Sequence, residues 1–401
     1  MELKDQATKK ENFKSEVYRE LTENILPFWE NKMTDARGGF LGRIDGHNLP
    51  APDSPKGAIL NARILYSFSR ILKGCEPYNL YQAAKRAKDY IDRYFIDKEY
   101  GGVYWSLNTD GTPLDTKKQF YAIGFTIYGL SEYSRTTGDQ EAKKLALELF
   151  ELIEKYSRDK EYGGYFEAAT RDWQPIEDMR LSDKDDNACK TMNTHLHILE
   201  PYTNLLRIAP ENNKLHEAVK DLINIFLDRI EDSSTHHLGL FFDKDWTRRD
   251  NEISYGHDIE ASWLLLEAAL VLNEKEILEK TLEHTRHIAL AALEGRCADG
   301  SMVYERHGDG HYDNDKHWWV QAECVIGQLY LWKYHHMPEM LDKAVQSWEY
   351  IKENIVDREN GEWYWSRKGR EINRDDDKAG FWKCPYHNSR MCYEVLELLE
   401  D

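Results

Sequence analysis

The chain has 401 residues, of which 53 are basic and 72 acidic, and its formal net charge is −19. This acidic excess excludes the clustered Lys and Arg that nucleic-acid-binding proteins and proteins of anionic membrane surfaces need. The length suits a large core in one to three domains, and six cysteines without a CxxC pair indicate reduced buried thiols, not a disulfide framework.

The N-terminal stretch MELKDQATKKENFKSEV is charged throughout and lacks the apolar centre of a secretory signal. No apolar run approaches the ~20 residues that cross a bilayer. We therefore expect a cytoplasmic protein that has no membrane segment. Twelve Trp and 24 Tyr suit either a large core or a cleft that stacks against carbohydrate.

Six short glycine-led segments recur along the chain, and in each of them the glycine is followed by alternating aromatic or apolar residues. They are ARGGFLGRID (36–45), EYGGVYWSLN (99–108), EYGGYFEAAT (161–170), HLGLFFDKDW (237–246), ADGSMVYERH (298–307) and ENGEWYWSRK (359–368). With Gly38, Gly101, Gly163, Gly239, Gly300 and Gly361 as markers, the intervals are 63, 62, 76, 61 and 61 residues. A nearly constant period is the signature of a repeat architecture.

Two helices are predicted between successive glycine loops. Apolar residues recur at three- and four-residue steps in segments 57–72, 80–95 and 122–133. Segments 261–272 and 324–334 are nearly apolar all round, which predicts inner helices, whereas 213–232 has the wide charged face of an outer helix.

One inner and one outer helix in each of six repeats predict an all-α fold, the (α/α)6 barrel or six-hairpin toroid. An open solenoid is the alternative. Because glycine permits the positive φ of a tight turn and aromatic residues suit extended backbone, short β-hairpin-like loops are expected at one rim. No Pro/Gly/Ser-rich linker divides the sequence, so we expect a single catalytic domain over residues 1–401.

The starts of the six predicted inner helices should lie at one rim, because each follows its glycine loop. Polar and aromatic side chains recur there, although polar groups are costly to bury. They are Arg63; Tyr121; Asn193, His195 and His197; His257 and Glu260; Trp318, Trp319 and Glu323; and Trp382, His387 and Arg390. A lone histidine on an apolar face is usually a core residue, but histidines from three repeats that face one axis favour a functional site.

Helical spacing groups these residues. Three pairs at i, i+3 or i, i+4 share a helix face: Asn193 with His197, His257 with Glu260, and His387 with Arg390. His195 and His197 are two residues apart and point in different directions on a helix, which argues against a metal site.

Two of these groups have alternative interpretations. One of Trp318 and Trp319 is expected in the core, and the other is expected to stack on a sugar ring. Glu260 either forms a salt bridge to a neighbouring Arg or orients His257 or a substrate hydroxyl.

Two imidazoles that face each other across a cavity suit proton transfer near neutral pH, and an adjacent Arg stabilises an oxyanion such as an enediolate. The sequence contains no Gly-rich phosphate loop, nucleotide-binding fingerprint or HExxH motif. The set predicts abstraction and return of a proton α to a carbonyl without a cofactor or metal, as in aldose epimerisation or aldose–ketose isomerisation.

Two other functions are compatible with the same architecture. An inverting glycoside hydrolase needs two carboxylates about 6.5–9.5 Å apart, for which Glu260 and Glu323 are the candidates. A non-catalytic helical-repeat binding protein predicts a polar groove without matched acid–base pairs.

Five motifs carry a family resemblance: GAILNARILYSFSR, KTMNTHLHILEPYTNLLR, ISYGHDIEASWLL, KHWWVQAE and WKCPYHNSRMCYEV. Together they resemble the N-acylglucosamine 2-epimerase superfamily, most closely its cellobiose 2-epimerase branch, over nearly the whole chain. The resemblance implies an (α/α)6 barrel that interconverts glucose and mannose at the reducing end of β-1,4-linked disaccharides, converting cellobiose to glucosylmannose and lactose to epilactose.

The resemblance also implies roles for individual residues. His257 and His387 match the two acid/base histidines at C2, and Arg63 matches the arginine that holds the enediolate oxygens. The other matches are His197, Asn193 and Glu260 for ring opening and hydroxyl binding, Tyr121 and Arg390 for substrate binding, and Trp319 and Trp382 for the disaccharide subsites, with Trp318 as a substitute for Trp319.

The resemblance leaves the substrate partly open. The HNSR stretch favours the disaccharide branch, because the N-acylglucosamine enzymes tend to carry an apolar–Pro pair between this His and Arg. A mannobiose 2-epimerase, an N-acylglucosamine 2-epimerase and a mannose isomerase remain alternatives. The expected partner is a reducing disaccharide bound by a monomer, and the order in which the two histidines act is open.

Overall fold

The computed structural model describes residues 2–70, 80–182 and 185–400. The α-helices in this part of the chain are α1 (Glu2–Arg19), α2 (Leu26–Lys32), α3 (Ala58–Arg70), α4 (Leu80–Tyr90), α5 (Phe120–Thr137), α6 (Gln140–Tyr156), α7 (Met192–Ile208), α8 (Asn213–Ile225), α9 (Tyr255–Leu272), α10 (Lys275–Ala292), α11 (Trp318–Tyr334), α12 (Glu339–Asn354) and α13 (Tyr386–Leu398). A π-helical turn joins α1 to α2, and similar turns end α4 and α8.

The inner helices are α3, α5, α7, α9, α11 and α13, and they form a closed ring. Each packs against the next in chain order, and α13 packs against α3. The outer helices α4, α6, α8, α10 and α12 each pack against the inner helix that precedes them, and α1 covers α13. The predicted (α/α)6 barrel is confirmed, and the open solenoid is wrong.

Inner helices approach closely where glycine replaces a side chain. A Cβ on Gly124 of α5 would lie 2.5 Å from the carbonyl oxygen of His197 in α7. A Cβ on Gly129 of α5 would lie 2.7 Å from the carbonyl oxygen of Ala62 in α3. The backbone of α5 therefore touches both of its neighbours, which keeps the ring tight at the level of the predicted site.

Short strands lie at the rim from which the inner helices start. The strands are β1 (Lys56–Gly57), β2 (Ser106–Leu107), β3 (Pro113–Asp115), β4 (Lys118–Gln119), β5 (Ala168–Ala169), β6 (Lys190–Thr191), β7 (Phe241–Phe242), β8 (Ile253–Ser254), β9 (Glu305–Arg306), β10 (Tyr312–Asp313), β11 (Lys316–His317), β12 (Ser366–Lys368) and β13 (Glu371–Ile372). The strand before an inner helix pairs antiparallel with a strand of the following repeat, as β1 does with β2 and β8 with β9. A bridge between Ile44 and Ala379 links the first loop to the last, so the ring also closes at this rim.

Buried Asp–Lys pairs recur in the rim loops, and each ties the start of a glycine loop to the residues ahead of an inner helix. They are Asp35–Lys56, Asp97–Lys118, Asp159–Lys190 and Asp357–Lys378, at 2.8, 2.9, 2.8 and 2.5 Å. Because one partner without the other would be an uncompensated buried charge, these pairs fix where each rim loop meets the barrel.

The fourth repeat departs from the predicted glycine pattern. Five of the marker glycines have positive φ, but Gly239 does not. In that loop His236 takes the left-handed conformation (φ 63°), and its N–H donates to the carbonyl of Asp232, as Gly101 does to Asp97. Gly239 was therefore the wrong marker, because a histidine occupies the position that glycine holds elsewhere.

The predicted helices agree with the structure within a few residues. Segment 122–133 lies inside α5, and segment 80–95 comprises α4 and its π-helical turn. Segment 57–72 corresponds to α3, with residues 71–72 outside the described part of the chain. No helix among the described residues is long and apolar enough to cross a membrane.

Candidate active site

His257 at the start of α9 and His387 at the start of α13 contact the same tryptophan. Both rings contact Trp319 of α11, with centroid separations of 4.8 and 5.5 Å respectively. The structure thus places two imidazoles from different repeats against one indole. Trp319, and not Trp318, is the tryptophan that touches both histidines.

His387 is held by a carboxylate. Its Nδ1 lies 2.7 Å from Oε1 of Glu323, an oxygen that also accepts from Arg390, while Oε2 of the same carboxylate accepts from Trp263. Because a carboxylate with these partners only accepts, Nδ1 of His387 carries a proton and Nε2 is free to act as a base. Burial, together with the positive charges of Arg390 and Arg63, lowers the pKa of His387 well below its usual value, which favours the neutral ring.

His257 has a different partner. Its Nδ1 lies 2.8 Å from the hydroxyl oxygen of Ser254. The pKa of His257 is lowered by burial and, to a smaller extent, by the nearby His197. Burial therefore favours a neutral imidazole here as well.

His197 of α7 is the third histidine of this site with a hydrogen-bonding partner. Its Nδ1 lies 3.0 Å from Oε2 of Glu200 on the next helical turn. Its ring packs against Tyr121 and Phe125, with centroids 5.0 and 4.9 Å away. Glu200 is not among the predicted site residues, although its i, i+3 spacing from His197 in HILE was a usable signal.

Arg390 lies beneath the histidines and is fully buried. One guanidinium nitrogen donates to Glu200 and Tyr386, and the other donates to Glu260 and Glu323 at 2.7 and 2.6 Å. This position differs from the expected substrate contact, because three carboxylates already surround the guanidinium. We interpret Arg390 as the residue that positions these carboxylates.

Two of the three carboxylates differ in their tendency to ionise. Burial raises the pKa of Glu260 to about 7, and the adjacent Glu323 adds to the effect. Burial also acts to raise the pKa of Glu200, but Arg390 and His197 lower it to about 2. Glu200 is therefore ionised at neutral pH, whereas Glu260 is poised between its two forms.

Glu260 forms a salt bridge to an Arg, as one of its two sequence interpretations expected, and no hydrogen bond to His257 is seen among the described residues. It pairs with Arg390, and its nearest histidine is His387, 3.9 Å away. The ligand atoms of Glu260, Glu323 and His387 all lie within 4.8 Å of one another. This spacing is shorter than the roughly 6.5–9.5 Å of an inverting hydrolase, and Arg390 engages both carboxylates, so the geometry disfavours that alternative.

Arg63 of α3 is a buried cation without a carboxylate partner among the described residues. It donates to the Tyr121 hydroxyl at 2.9 Å and lies over the ring of Phe125, 4.0 Å from its centroid. Its Nε has no hydrogen-bond partner in the described chain. Since burying an unpaired charge is costly, this guanidinium suits an anion that arrives with the substrate.

Other predicted contact residues lie around this group. Trp382 is half-buried, with its ring centroid 6.1 Å from that of Tyr121, and Trp318 packs on Trp365 at 4.7 Å. Within the described residues, Oδ1 of Asn193 and Nε1 of Trp318 are buried without a hydrogen-bond partner. Such atoms suit the hydroxyl groups of a bound sugar.

His195 points away from this group. Its Nδ1 lies 2.7 Å from the carbonyl oxygen of Thr191, and its Nε2 accepts the backbone N–H of Tyr165 at 2.9 Å. Burial lowers the pKa of His195 to about 4. It is a structural histidine that holds a rim loop.

Three groups in the described chain bring together side chains of the types that bind metals. They are His216, Glu217 and Glu274; Glu252, Glu305 and His307; and Glu260, Glu323 and His387. Arg390 already bonds both carboxylates of the third group, and the other two lie outside the histidine site.

Comparisons with known proteins agree with this geometry. The sequence model of the N-acylglucosamine 2-epimerase (GlcNAc 2-epimerase) family matches residues 39–390. The chain is 53% identical to a cellobiose 2-epimerase of Bacteroides fragilis over 391 residues, which cover 96% of this chain and 99% of the relative.

Two solved structures are similar over nearly their full length. The cellobiose 2-epimerase of Spirochaeta thermophila DSM 6192 superposes with a TM-score of 0.91 at 37% identity and covers 97% of both chains. A sugar epimerase from a ruminal bacterium superposes with a TM-score of 0.93 at 38% identity and covers 97% of this chain and all of that one.

Proposed function

The chain belongs to the N-acylglucosamine 2-epimerase family and is a carbohydrate epimerase, and we propose that its substrates are β-1,4-linked disaccharides. At their reducing end it would interconvert glucose and mannose, converting cellobiose to glucosylmannose and lactose to epilactose. The likeness to cellobiose 2-epimerases supports this substrate class.

The observation that carries the proposal is the contact of His257 and His387 with the same indole, next to the unpaired Arg63. In the open-chain sugar, a neutral imidazole removes the C2 proton, and the electron pair of the C–H bond forms the C1–C2 double bond of an enediolate. Arg63 neutralises the charge on the enediolate oxygens. After rotation about C2–C3, the second imidazole, in its protonated form, returns a proton to the opposite face of C2.

Proton balance requires the pair of histidines to carry one proton, so the active state is one that burial disfavours in either ring. The abstracting ring ends the reaction protonated and the donating ring ends it neutral, so the reverse reaction uses the same groups with exchanged roles. Glu323 stabilises the protonated form of His387. Every transfer in this scheme uses a side chain of one chain, so the scheme needs neither a cofactor nor a second subunit.

Ring opening is assigned to His197 and its neighbours. Glu200 holds Nδ1 of His197, which leaves Nε2 to exchange a proton with the ring oxygen. Asn193, Tyr121, Trp319 and Trp382 would bind the two sugar units, with apolar ring faces against indole and hydroxyl groups on polar atoms.

The test is incubation with cellobiose, lactose, mannobiose, N-acetylglucosamine or mannose in D2O, followed by NMR. We expect cellobiose and lactose to gain one deuteron at C2 of the reducing unit together with inversion there. A ketose product would favour the mannose isomerase alternative. Turnover of N-acetylglucosamine alone would favour an N-acylglucosamine 2-epimerase, and turnover of mannobiose alone would favour a mannobiose 2-epimerase.

His257→Ala and His387→Ala should each abolish epimerisation, with circular dichroism showing an intact fold. The matched control is His336→Asn, because His336 is exposed beyond the far end of α11. Full activity in a variant that lacks either imidazole would overturn the two-histidine scheme.

A further inference from the structure

We propose that Ser254 is a positioning residue whose hydroxyl holds the His257 imidazole through both halves of the proton transfer. The inference rests on the proposed function and adds a residue that lies in the ISYGHDIEASWLL motif but has no role assigned to it by the resemblance. Its hydroxyl oxygen lies 2.8 Å from Nδ1 of His257, and its side chain is fully buried.

The hydroxyl of Ser254 does not make the N-cap hydrogen bond that its position at the start of a helix predicts. Ser254 is the N-cap of α9, where a serine normally accepts a backbone N–H of the first helical turn. It makes no such bond, whereas Thr191, the N-cap of α7, accepts from the N–H of Thr194 at 3.0 Å. Ser254 bonds the imidazole three residues ahead instead.

The local backbone fixes this contact. Ser254 lies in β8, where it pairs with Glu305 of β9, and the adjacent Ile253 pairs with Arg306. On another side, the His257 ring packs against Trp319 at 4.8 Å. The imidazole is therefore constrained by an indole and by a hydroxyl on an anchored strand.

The partner of His257 differs chemically from those of the other two histidines. Glu323 and Glu200 are carboxylates, which accept hydrogen bonds and stabilise a protonated imidazole. A serine hydroxyl accepts from Nδ1–H or donates to bare Nδ1, so it serves both tautomers of the neutral ring as well as the protonated ring. It gives the protonated ring no compensating charge.

The titratable groups that act on His257 are His197 of α7 and His387 of α13. When protonated, both disfavour the protonated form of His257. With a hydroxyl in place of a carboxylate, His257 releases its proton readily, which suits the direction of the reaction in which this ring donates to the enediolate. A carboxylate at position 254 would hold that proton.

The test compares Ser254→Ala, Ser254→Thr and Ser254→Asp in cellobiose epimerisation. A lost hydrogen bond to a charged ring corresponds to a loss of about 10- to 100-fold in kcat, so we expect this loss in Ser254→Ala while KM changes by less than about threefold. Ser254→Thr should restore most of the activity. Ser254→Asp should move the alkaline limb of the pH–kcat profile to higher pH, because a carboxylate would keep the donating imidazole protonated.

The matched control is Thr191→Ala. It removes a true N-cap bond and should lower stability by about 1 kcal/mol with an unchanged pH profile. Ser254→Ala should show the opposite pattern, with stability nearly unchanged and kcat reduced. Wild-type kcat and an unchanged pH profile in Ser254→Ala would overturn the proposal.

Imidazole ¹⁵N NMR of the free protein separates this inference from the proposed function. We expect the His257 nitrogen shifts to change in Ser254→Ala while those of His387 stay in place. If the wild-type chain epimerises no disaccharide, these shifts still decide whether Ser254 sets the state of His257. Unchanged His257 shifts would refute the role of Ser254 whatever the substrate is.

Discussion

Three buried carboxylates support the histidines, and one guanidinium holds them together. Glu200, Glu260 and Glu323 belong to three different helices, and each is bonded to Arg390. Glu200 also bonds His197, and Glu323 also bonds His387. Arg390 therefore affects the orientation of both histidines without itself contacting the substrate.

We expect Arg390→Met to lower the free energy of unfolding by about 3–5 kcal/mol, because it leaves buried carboxylates without a countercharge. Epimerisation should be lost in the same variant. In stability and in activity, Arg390→Lys should lie between the wild-type chain and Arg390→Met, since lysine keeps the charge but not the bidentate geometry. Urea unfolding curves and turnover measure both effects.

The control is Lys275→Ala, which removes an exposed pair with Glu279 and should change stability by less than about 0.5 kcal/mol. Native stability in Arg390→Met would show that the carboxylates do not need their partner.

Acid should weaken the fold through buried histidines. Burial lowers the pKa of His195 to about 4, below the ~6.5 of an unfolded chain. Between these values the unfolded state binds a proton that the folded state does not. Stability is therefore retained above pH 6.5 and lost as the pH falls towards 4, by up to about 1.4 kcal/mol per pH unit for each such group.

His195→Gln should reduce the loss of unfolding free energy between pH 6.5 and 4 by the contribution of one titrating group. Urea unfolding at several pH values measures this slope. The exposed variant His336→Asn should give a curve parallel to that of the parent chain. A parallel curve for His195→Gln too would mean that His195 is not a source of acid sensitivity.

At the scale of elements, the spacing between α5 and α7 positions His197. Gly124 lets α5 approach the His197 carbonyl so closely that an added Cβ would lie 2.5 Å from it. Backbone atoms cannot move aside as a flexible side chain does, so a larger residue must separate the two helices.

We expect Gly124→Ala to cost about 1–3 kcal/mol of stability through overpacking and to lower kcat by roughly tenfold through displacement of His197. Thermal unfolding and initial rates measure these changes. Gly138→Ala at the end of the same helix is the control. Its φ is +76° and nothing lies within 4 Å of the added Cβ, so it should cost about 1 kcal/mol and leave kcat unchanged. Equal kcat losses in both variants would argue against a specific effect on His197.

At the scale of the whole molecule, the seam between the first and last inner helices closes the ring. Arg70 of α3 bonds Glu394 and Glu397, at the end of the chain, and Ser389 bonds Ser67 at 2.9 Å. Since each inner helix then has two neighbours, no repeat lies at a free end. The single domain over residues 1–401 stays a prediction, and this closure is compatible with it.

Arg70→Met should therefore shift one cooperative unfolding transition to lower denaturant concentration, with far-UV circular dichroism and tryptophan fluorescence in register. A variant of the exposed Lys85–Asp89 pair, Lys85→Ala, should leave the transition in place. Separate transitions for the two signals would indicate that the barrel unfolds in parts and would contradict the single-domain prediction.

The sequence alone determined the repeat and the rim. Helical spacing and glycine loops encode local geometry, so six helix pairs, the inner faces and the histidines at the helix starts could all be predicted from residues near one another in the chain. These patterns favour the barrel without excluding an open solenoid, and they do not separate His195, which points away, from the residues of the site.

Only the tertiary structure decided which of those residues touch. Arg390 reaches Glu200 across 190 residues, Glu260 faces His387 and not His257, and His236 takes a position that glycine holds in other repeats. No local pattern fixes such contacts, because the closure of the ring sets the distance between helix starts. Ring closure turns six separate helix starts into one site.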